Sequence, residues 1–201
     1  KHRDDLLIRP AAFYEKQSID LVLGNRVTGL DRANKTLSLH DGGSIPYSKL
    51  ALTTGARVRK LSLPGHDLDG VFYLRDLDDV DRIRGFVGAG KSAVIIGGGY
   101  IGLETAASMR KLGMQVTVLE ALPRVLQRVT APEVSAFYSR VHGEEGVTII
   151  TEAAVDSIQG TKSVEAVALA DGTTIQADLV MLPERFDLTY IDDSGLPQRP
   201  I

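Results

Sequence analysis

Residues 92–102 read Ser-Ala-Val-Ile-Ile-Gly-Gly-Gly-Tyr-Ile-Gly, and this stretch decides the fold. A short apolar, β-branched run that ends in glycines is typical of a buried parallel strand. The residues that follow, 100–113, have the period of a helix, and Gly113 is placed to end it. The apolar residues of this predicted helix that share one face are Ile101, Ala106, Met109 and Leu112.

The stretch continues as a strand–helix–strand unit. Residues 115–119 (Gln-Val-Thr-Val-Leu) predict a second strand that closes at Glu120. Strand, helix and strand within about thirty residues make a βαβ unit. A second helix is expected from about residue 132, where a proline suits the first turn, to about residue 145. Residues 147–150 then predict a third strand, so the sequence favours an α/β fold with a Rossmann-like parallel sheet.

Residues 97–102 fit the pattern G-x-G-x-x-G, and the strand before it and the helix after it give the pattern weight. Gly97 can make the tight turn, and Gly102 lets the helix pack on the strand. Gly99 has no Cβ, so backbone amides can approach a pyrophosphate at the positive end of the helix. The alternative is a glycine-rich turn that holds no ligand.

Charged residues near this loop extend the predicted site. Glu120 can accept hydrogen bonds from both hydroxyls of an adenosine ribose and would repel a 2′-phosphate, which favours NAD(H) over NADP(H). Arg124 and Arg128 can touch adenine or phosphate, or can be surface charges. Glu104 can suit the helix dipole or lie near the nicotinamide. The predicted NAD(H) contacts are Gly97, Gly98, Gly99, Tyr100, Ile101, Gly102, Glu104, Glu120, Arg124 and Arg128.

The pattern Leu-x-Asp-Gly-x-x-Ile occurs twice, at residues 39–45 and 169–175. Each copy predicts a strand, an Asp-Gly turn, a second strand and then a final apolar strand, within 27–52 and 155–180 respectively. Either the pattern marks a repeat of whole domains, or two hairpins look alike because Asp-Gly turns are common. A domain repeat would place the start of this chain inside its first domain.

Composition excludes several classes of function. The formal net charge is −3, without the basic excess that nucleic acid or anionic lipid attracts. The chain has no cysteine and four scattered histidines, so we expect no disulfide and no metal site. No apolar run is long enough to span a membrane, and a cytoplasmic location is expected. The mixed charges at 75–79 predict a solvated helix surface.

Residues 96–104 (Ile-Gly-Gly-Gly-Tyr-Ile-Gly-Leu-Glu) resemble the NADH motif of FAD-dependent NADH:ferredoxin reductases, within the pyridine nucleotide-disulfide oxidoreductase superfamily. Within that family, the segment resembles the bacterial putidaredoxin and rhodocoxin reductases. The resemblance covers residues 6–180 almost without a break. Further segments that carry it are 7–10, 53–56, 71–75, 124–126, 129–132 and 134–138.

The resemblance implies NAD(H) and FAD as cofactors and a [2Fe–2S] ferredoxin as partner. Hydride would pass from NADH to the flavin, and single electrons would pass on to the ferredoxin. By the same resemblance Glu104 is a candidate catalytic acid beside the nicotinamide. The implied FAD contacts are Val27, Thr54, Gly55 and Arg75. The family's first glycine motif and its C-terminal flavin motif are not found in the sequence, so we expect a chain incomplete at both ends.

The predicted organisation is an NAD(H)-binding domain preceded by a remnant of a related FAD-binding domain. Two alternatives stay open: a truncated NAD(H)-binding module without catalysis, and an NADH oxidase or nitrite-reductase-type reductase on the same scaffold. The four predicted segments are a partial FAD-binding domain at 1–57, a linker at 58–85, the NAD(H)-binding domain at 86–183 and a divergent tail at 184–201.

Overall fold

A computed structural model describes residues 3–55, 57–58 and 60–182. It also describes three two-residue strands at 186–187, 190–191 and 197–198. Most of the predicted tail at 184–201 therefore lies outside the described residues. The chain divides into two compact units, Lys1–Thr54 and Gly55–Ile201. Among the helices described, none has both the length and the apolar composition needed to cross a membrane.

The first unit holds a small antiparallel sheet whose strand order is β1-β2-β3. The final apolar strand predicted before Leu52 does not form, and Leu52 is 55% exposed. In the second repeat the equivalent strand pairs on both sides, whereas none of the strands described in the first unit pairs with this segment. The elements of the unit are a 3₁₀ helix Arg3–Leu6, α1 (Ala11–Lys16), β1 (Val27–Asp31), β2 (Thr36–Leu39) and β3 (Ser44–Pro46).

The second unit is built on a parallel sheet of five strands, with a three-stranded antiparallel sheet inserted between its fourth and fifth strands along the chain. The predicted α/β class is confirmed. The elements are β4 (Arg57–Val58), β5 (Val71–Tyr73), α2 (Leu77–Arg84), β6 (Ser92–Ile96), α3 (Tyr100–Lys111), β7 (Gln115–Leu119), α4 (Pro132–Glu144), β8 (Val147–Ile150), β9 (Val155–Gly160), β10 (Val164–Leu169), β11 (Thr174–Gln176) and β12 (Leu179–Leu182), followed by β13 (Phe186–Asp187), β14 (Tyr190–Ile191) and β15 (Pro197–Gln198).

The parallel sheet has the order β5-β12-β6-β7-β8, and the inserted sheet has the order β11-β10-β9. The segment predicted as a linker, 58–85, includes β5, which pairs with β12, and α2. Successive residues of a strand point to opposite faces, so the two faces of the sheet bury different clusters. Ala93 and Ile95 of β6 pack in the cluster that contains Leu103 of α3. Val94 packs instead with Val167 of the inserted sheet.

Helix α3 follows the prediction in its bounds and in half of its buried face, because Ala106 and Met109 are buried as predicted. Leu112 caps the helix and is 58% exposed, and Ile101 is half-buried. Gly102 and Leu103 take the other buried positions. The helix ends as expected at Gly113, which has φ +84°. The amides of Gly113 and Met114 donate to the carbonyls of Arg110 and Met109, the hydrogen bonds of a Schellman motif.

The charge cluster at 75–79 is only partly solvated, because Asp79 is 7% exposed. Its carboxylate closes a capping box with Asp76 at the start of α2 and accepts N–H groups of Arg75 and Asp76. Burial raises the pKa of the Asp79 carboxyl, but these two backbone N–H groups and the Arg82 guanidinium outweigh burial and bring the pKa below its usual value. A buried carboxylate is thus a structural part of this turn.

The two Asp-Gly turns of the repeat are built alike. Gly42 and Gly172 have φ +88° and +90°. In each turn the aspartate Oδ1 accepts the N–H two residues on, from Gly43 or Thr173, at 2.8 Å. The amides of Leu39 and Leu169 also donate to the carbonyls of those same residues, at 2.9 and 2.8 Å. The local repeat read from the sequence therefore exists in the structure.

Candidate dinucleotide-binding site

The glycine loop joins β6 to α3 at the carboxyl end of the parallel sheet, where open α/β sheets bind their ligands. Gly97 has φ +133°, and its amide donates to the carbonyl of Leu119 at 2.7 Å. Gly99 is the N-cap of α3, and a Cβ placed on it would meet no atom of the surrounding chain within 4 Å. The first amides of α3 have no intrahelical acceptor, so they are available to an anion.

Gly98 has the closest contacts in the loop. A Cβ on this residue would lie 2.8 Å from Cγ1 of Val125 and 3.1 Å from Oε2 of Glu120. Carbon atoms do not approach that closely without displacement, so the second glycine is required by packing inside the protein. The sequence pattern leaves this position unspecified, and the prediction gave it no separate role.

Glu120 follows β7 and bridges two segments of backbone. Its Oε2 accepts the N–H of Gly98 at 2.7 Å, and its Oε1 accepts the N–H of Leu122 at 2.9 Å. The carboxylate is half-buried, and these two bonds fix its orientation. Each oxygen keeps a second lone pair that can accept a hydroxyl hydrogen.

The predicted residues on α3 differ in exposure. Tyr100 is 47% exposed and meets Tyr138 of α4 edge to face, with ring centroids 6.3 Å apart. Gly102 is buried, and Ile101 is half-buried. Glu104 is exposed in the first turns of the helix, close to the glycine loop in sequence. The positive end of the α3 dipole favours a carboxylate or a phosphate in this region.

Arg124 is turned into the protein. Its Nη1 donates to the carbonyl of Thr130 at 2.9 Å and to Oγ of Ser135 at 2.6 Å, and its Nη2 donates to the carbonyl of Gln127 at 3.2 Å. Arg128, in the same segment, is exposed. The structure thus separates the two arginines that the sequence treated as equivalent.

The residues predicted to contact FAD fall in both units. Val27 and Thr54 belong to the first unit, and both are exposed. Gly55 and Arg75 belong to the second unit, where Gly55 has φ +72° and a Cβ on it would lie 3.1 Å from Nη2 of Arg75. Gly55 and the guanidinium of Arg75 are therefore neighbours within the second unit.

Three residues that shape the site were not found from the sequence. Val125 and Leu126 are buried beneath the glycine loop, and Ser135 is 2% exposed near the start of α4. The sequence offered no signal for Ser135, because serine is usually exposed and its apolar neighbours Val134 and Phe137 are themselves exposed. Among the residues described, no cluster of histidine and acidic side chains could hold a metal ion.

The site fits a pyridine dinucleotide on three observations. Space is open at Gly99, the N-terminus of α3 offers free amides, and a fixed carboxylate stands at the end of the neighbouring strand. Rossmann sites use features of these three kinds to hold a pyrophosphate and a ribose.

Comparison with known proteins agrees with this geometry. A sequence model of the pyridine nucleotide-disulphide oxidoreductase family matches residues 4–183. The ferredoxin reductase subunit of 5,5'-dehydrodivanillate O-demethylase from Sphingobium sp. (strain NBRC 103272 / SYK-6) is 42% identical over 199 residues, covering 96% of this chain and 48% of that protein. Putidaredoxin reductase of Pseudomonas putida is 41% identical over 184 residues, covering 89% of this chain and 44% of that protein.

Solved structures give the same result. The ferredoxin reductase for the CYP199A2 system of Rhodopseudomonas palustris aligns with a TM-score of 0.84 and 37% identity, over 90% of this chain and 45% of that one. Putidaredoxin reductase in its covalent complex with putidaredoxin aligns with a TM-score of 0.82 and 40% identity, with the same coverage. The chain spans about half the length of the relatives it matches.

Proposed function

The chain belongs to the pyridine nucleotide-disulphide oxidoreductase family, and from that premise we propose that it is the NAD(H)-binding portion of a flavoprotein that passes electrons from NADH through FAD to a [2Fe–2S] ferredoxin. The observation that carries the proposal is the glycine loop, with open space at Gly99 and with Glu120 fixed on the amide of Gly98. The relatives named as ferredoxin reductases support the choice of electron acceptor.

Each part of the site has a separate task in binding. The amides at the start of α3 hold the pyrophosphate, because they lie at the positive end of the helix dipole. Glu120 accepts the hydroxyls of the adenosine ribose through its remaining lone pairs, and its charge disfavours a 2′-phosphate. Exposed Arg128 is proposed as the arginine that contacts the adenosine half.

At the nicotinamide end, Tyr100 and Glu104 are the proposed contacts, and Glu104 is the proposed catalytic residue. When bound, FAD supplies the step from two-electron to one-electron chemistry. Val27, Thr54, Gly55 and Arg75 are the proposed FAD contacts of this chain. The chain's own contribution is to bind and orient NADH, since the cofactors carry the redox chemistry.

The experiment is a titration of the purified chain with NADH and with NADPH, followed by calorimetry. We expect NADH to bind at least tenfold more tightly, because the Glu120 carboxylate repels a 2′-phosphate. A second arm adds FAD and a [2Fe–2S] ferredoxin and follows the visible absorption of the ferredoxin under nitrogen. NADH-dependent bleaching of that absorption is the result expected for a ferredoxin reductase.

The two arms separate the candidate functions. Equal affinity for NADH and NADPH contradicts the role proposed for Glu120. NADH consumption that needs oxygen and leaves the ferredoxin oxidised identifies an oxidase. Because the family's first glycine motif and C-terminal flavin motif are not found in this sequence, tight NADH binding with no electron transfer, under nitrogen or in air, identifies a module that binds NADH but does not turn over by itself.

A further inference from the structure

A small cluster of polar bonds lies beneath the glycine loop, and Arg124 is its one member that the sequence predicted to contact a cofactor. Its centre is the hydroxyl of Ser135, which is 2% exposed. This hydroxyl donates to the carbonyl of Val125 at 2.6 Å and accepts from Nη1 of Arg124 at 2.6 Å. The hydroxyl of Thr130 lies 3.3 Å from it and donates to the carbonyl of Leu126 at 3.1 Å. We call Arg124, Thr130 and Ser135 the clasp.

The clasp holds a turn whose backbone is strained at one residue. Leu126 has φ +54°, a left-handed conformation that residues with a side chain rarely adopt. Arg124 donates to the carbonyls of Gln127 and Thr130 across the turn, and Ser135 of α4 donates to the carbonyl of Val125. Side-chain hydrogen bonds from within the turn and from α4 therefore hold the strained backbone.

The same turn is the floor of the glycine loop. The amide of Leu126 donates to the carbonyl of Gly98 at 2.9 Å. The side chain of Val125 fills the space that a Cβ on Gly98 would need. Gly98 also contacts the acid: its N–H donates to Oε2 of Glu120 and so orients the carboxylate. A shift of the turn thus moves both the loop and the acid.

We propose that Arg124 and Ser135 are positioning residues, which set the NADH affinity and the NADH-over-NADPH selectivity of the site by holding the 124–130 turn against Gly98. This inference rests on the proposed function. It replaces the direct adenine or phosphate contact predicted for Arg124 from the sequence. Three of the guanidinium hydrogen bonds already go to oxygens of the protein.

Ser135 provides the decisive test, because a side chain this buried cannot touch the cofactor. We expect Ser135→Ala to raise the NADH dissociation constant about threefold to tenfold, the loss typical of one or two hydrogen bonds. The ratio of the NADPH to the NADH dissociation constant is expected to fall, since Glu120 loses its fixed orientation. A purely structural role would lower the melting temperature without moving this ratio.

Ser139→Ala is the matched control. Ser139 is half-buried one helical turn further along α4, and no hydrogen bond from its side chain is found among the described residues. We expect its NADH dissociation constant to stay within twofold of the unmodified chain. Thr130→Val, which removes a half-buried hydroxyl at nearly constant shape, serves as the milder variant if Ser135→Ala does not fold.

A double-mutant cycle then distinguishes a clasp from a direct contact. Arg124→Met and Ser135→Ala both remove the bond between Nη1 and Oγ and both loosen the same turn, so we expect the NADH dissociation constant of the double variant to be at most twofold above that of the weaker-binding single variant. Losses that multiply, or an unchanged dissociation constant in Ser135→Ala and Thr130→Val, would overturn the clasp. Failure of the unmodified chain to bind NADH would overturn the proposed function itself.

Discussion

Glu120→Gln replaces a carboxylate by an amide of nearly the same shape and leaves only one oxygen to accept hydrogen bonds. The two oxygens of Glu120 accept the amides of Gly98 and Leu122, at 2.7 and 2.9 Å. The amide nitrogen of glutamine must face one of these donors, so one bond to an ionised acceptor is lost. Such bonds contribute about 1.5–3 kcal/mol, and we expect the free energy of unfolding to fall by that amount.

The effect on binding follows from the same geometry. The glutamine has fewer lone pairs for the ribose hydroxyls and no charge to repel a 2′-phosphate. We expect the NADH dissociation constant to rise about tenfold, equivalent to about 1.4 kcal/mol, while NADPH binding changes by less than threefold. Glu120→Arg is a less clean test, because arginine has no acceptor and would leave both backbone donors unpaired.

The assay is calorimetric titration with each nucleotide, together with urea unfolding. Glu144→Gln is the matched control: its carboxylate is exposed and, among the described residues, pairs only with Arg140 of the same helix, at 2.7 Å. Such surface pairs contribute about 0.3–0.5 kcal/mol. An unchanged NADPH-to-NADH ratio in Glu120→Gln, with unchanged unfolding, would refute the role given to Glu120.

Three further predictions concern stability, measured by urea unfolding. Gly98→Ala places a Cβ 2.8 Å from Cγ1 of Val125 and is expected to cost about 1–3 kcal/mol; an unaltered midpoint would contradict the close packing. Gly113→Ala, at φ +84°, is expected to cost about 1–2 kcal/mol, and no loss would mean that the α3 terminus relaxes. Asp79→Asn is expected to cost about 1–2 kcal/mol at pH 7. Because the pKa of Asp79 is lowered in the folded protein, the stability that its carboxylate contributes is present above about pH 4 and is lost below it. A difference in unfolding free energy between the two proteins that persists unchanged at low pH would refute the role given to this carboxylate.

The sequence predicted the strand–helix–strand unit well, because each part has a local signal. The β-branched run, the glycines and the Asp-Gly turns all act through nearby backbone. Only half of the buried face of α3 was predicted: Ala106 and Met109 are buried, whereas Leu112 lies at the cap and Leu103 takes an inward position. Because the apolar period of α3 is weak, packing against the sheet decides which face of the helix is buried.

What the sequence could not provide was contact between distant residues. The neighbour of Gly98 is Val125, and the partner of Arg124 is Ser135. No sequence motif specifies the spacing of either pair, because tertiary packing decides which side chains come into contact. The burial of the Asp79 carboxylate was missed for the same reason. A charged residue within a charged cluster is expected to be solvent-exposed, and only its hydrogen bonds show that it is buried.

The central claim is that NADH binds at the glycine loop, and Gly99→Val tests it most directly. Gly99 has φ −79° and ψ −179°, an extended conformation that valine adopts readily, and nothing in the surrounding chain lies within 4 Å of its Cβ position. Gly143→Val is the matched control, since Gly143 of α4 also has open space around its Cβ position. By calorimetry, with folding checked by circular dichroism, we predict that Gly99→Val loses NADH binding at least a hundredfold while Gly143→Val keeps it. NADH binding that survives in a folded Gly99→Val protein would contradict the account.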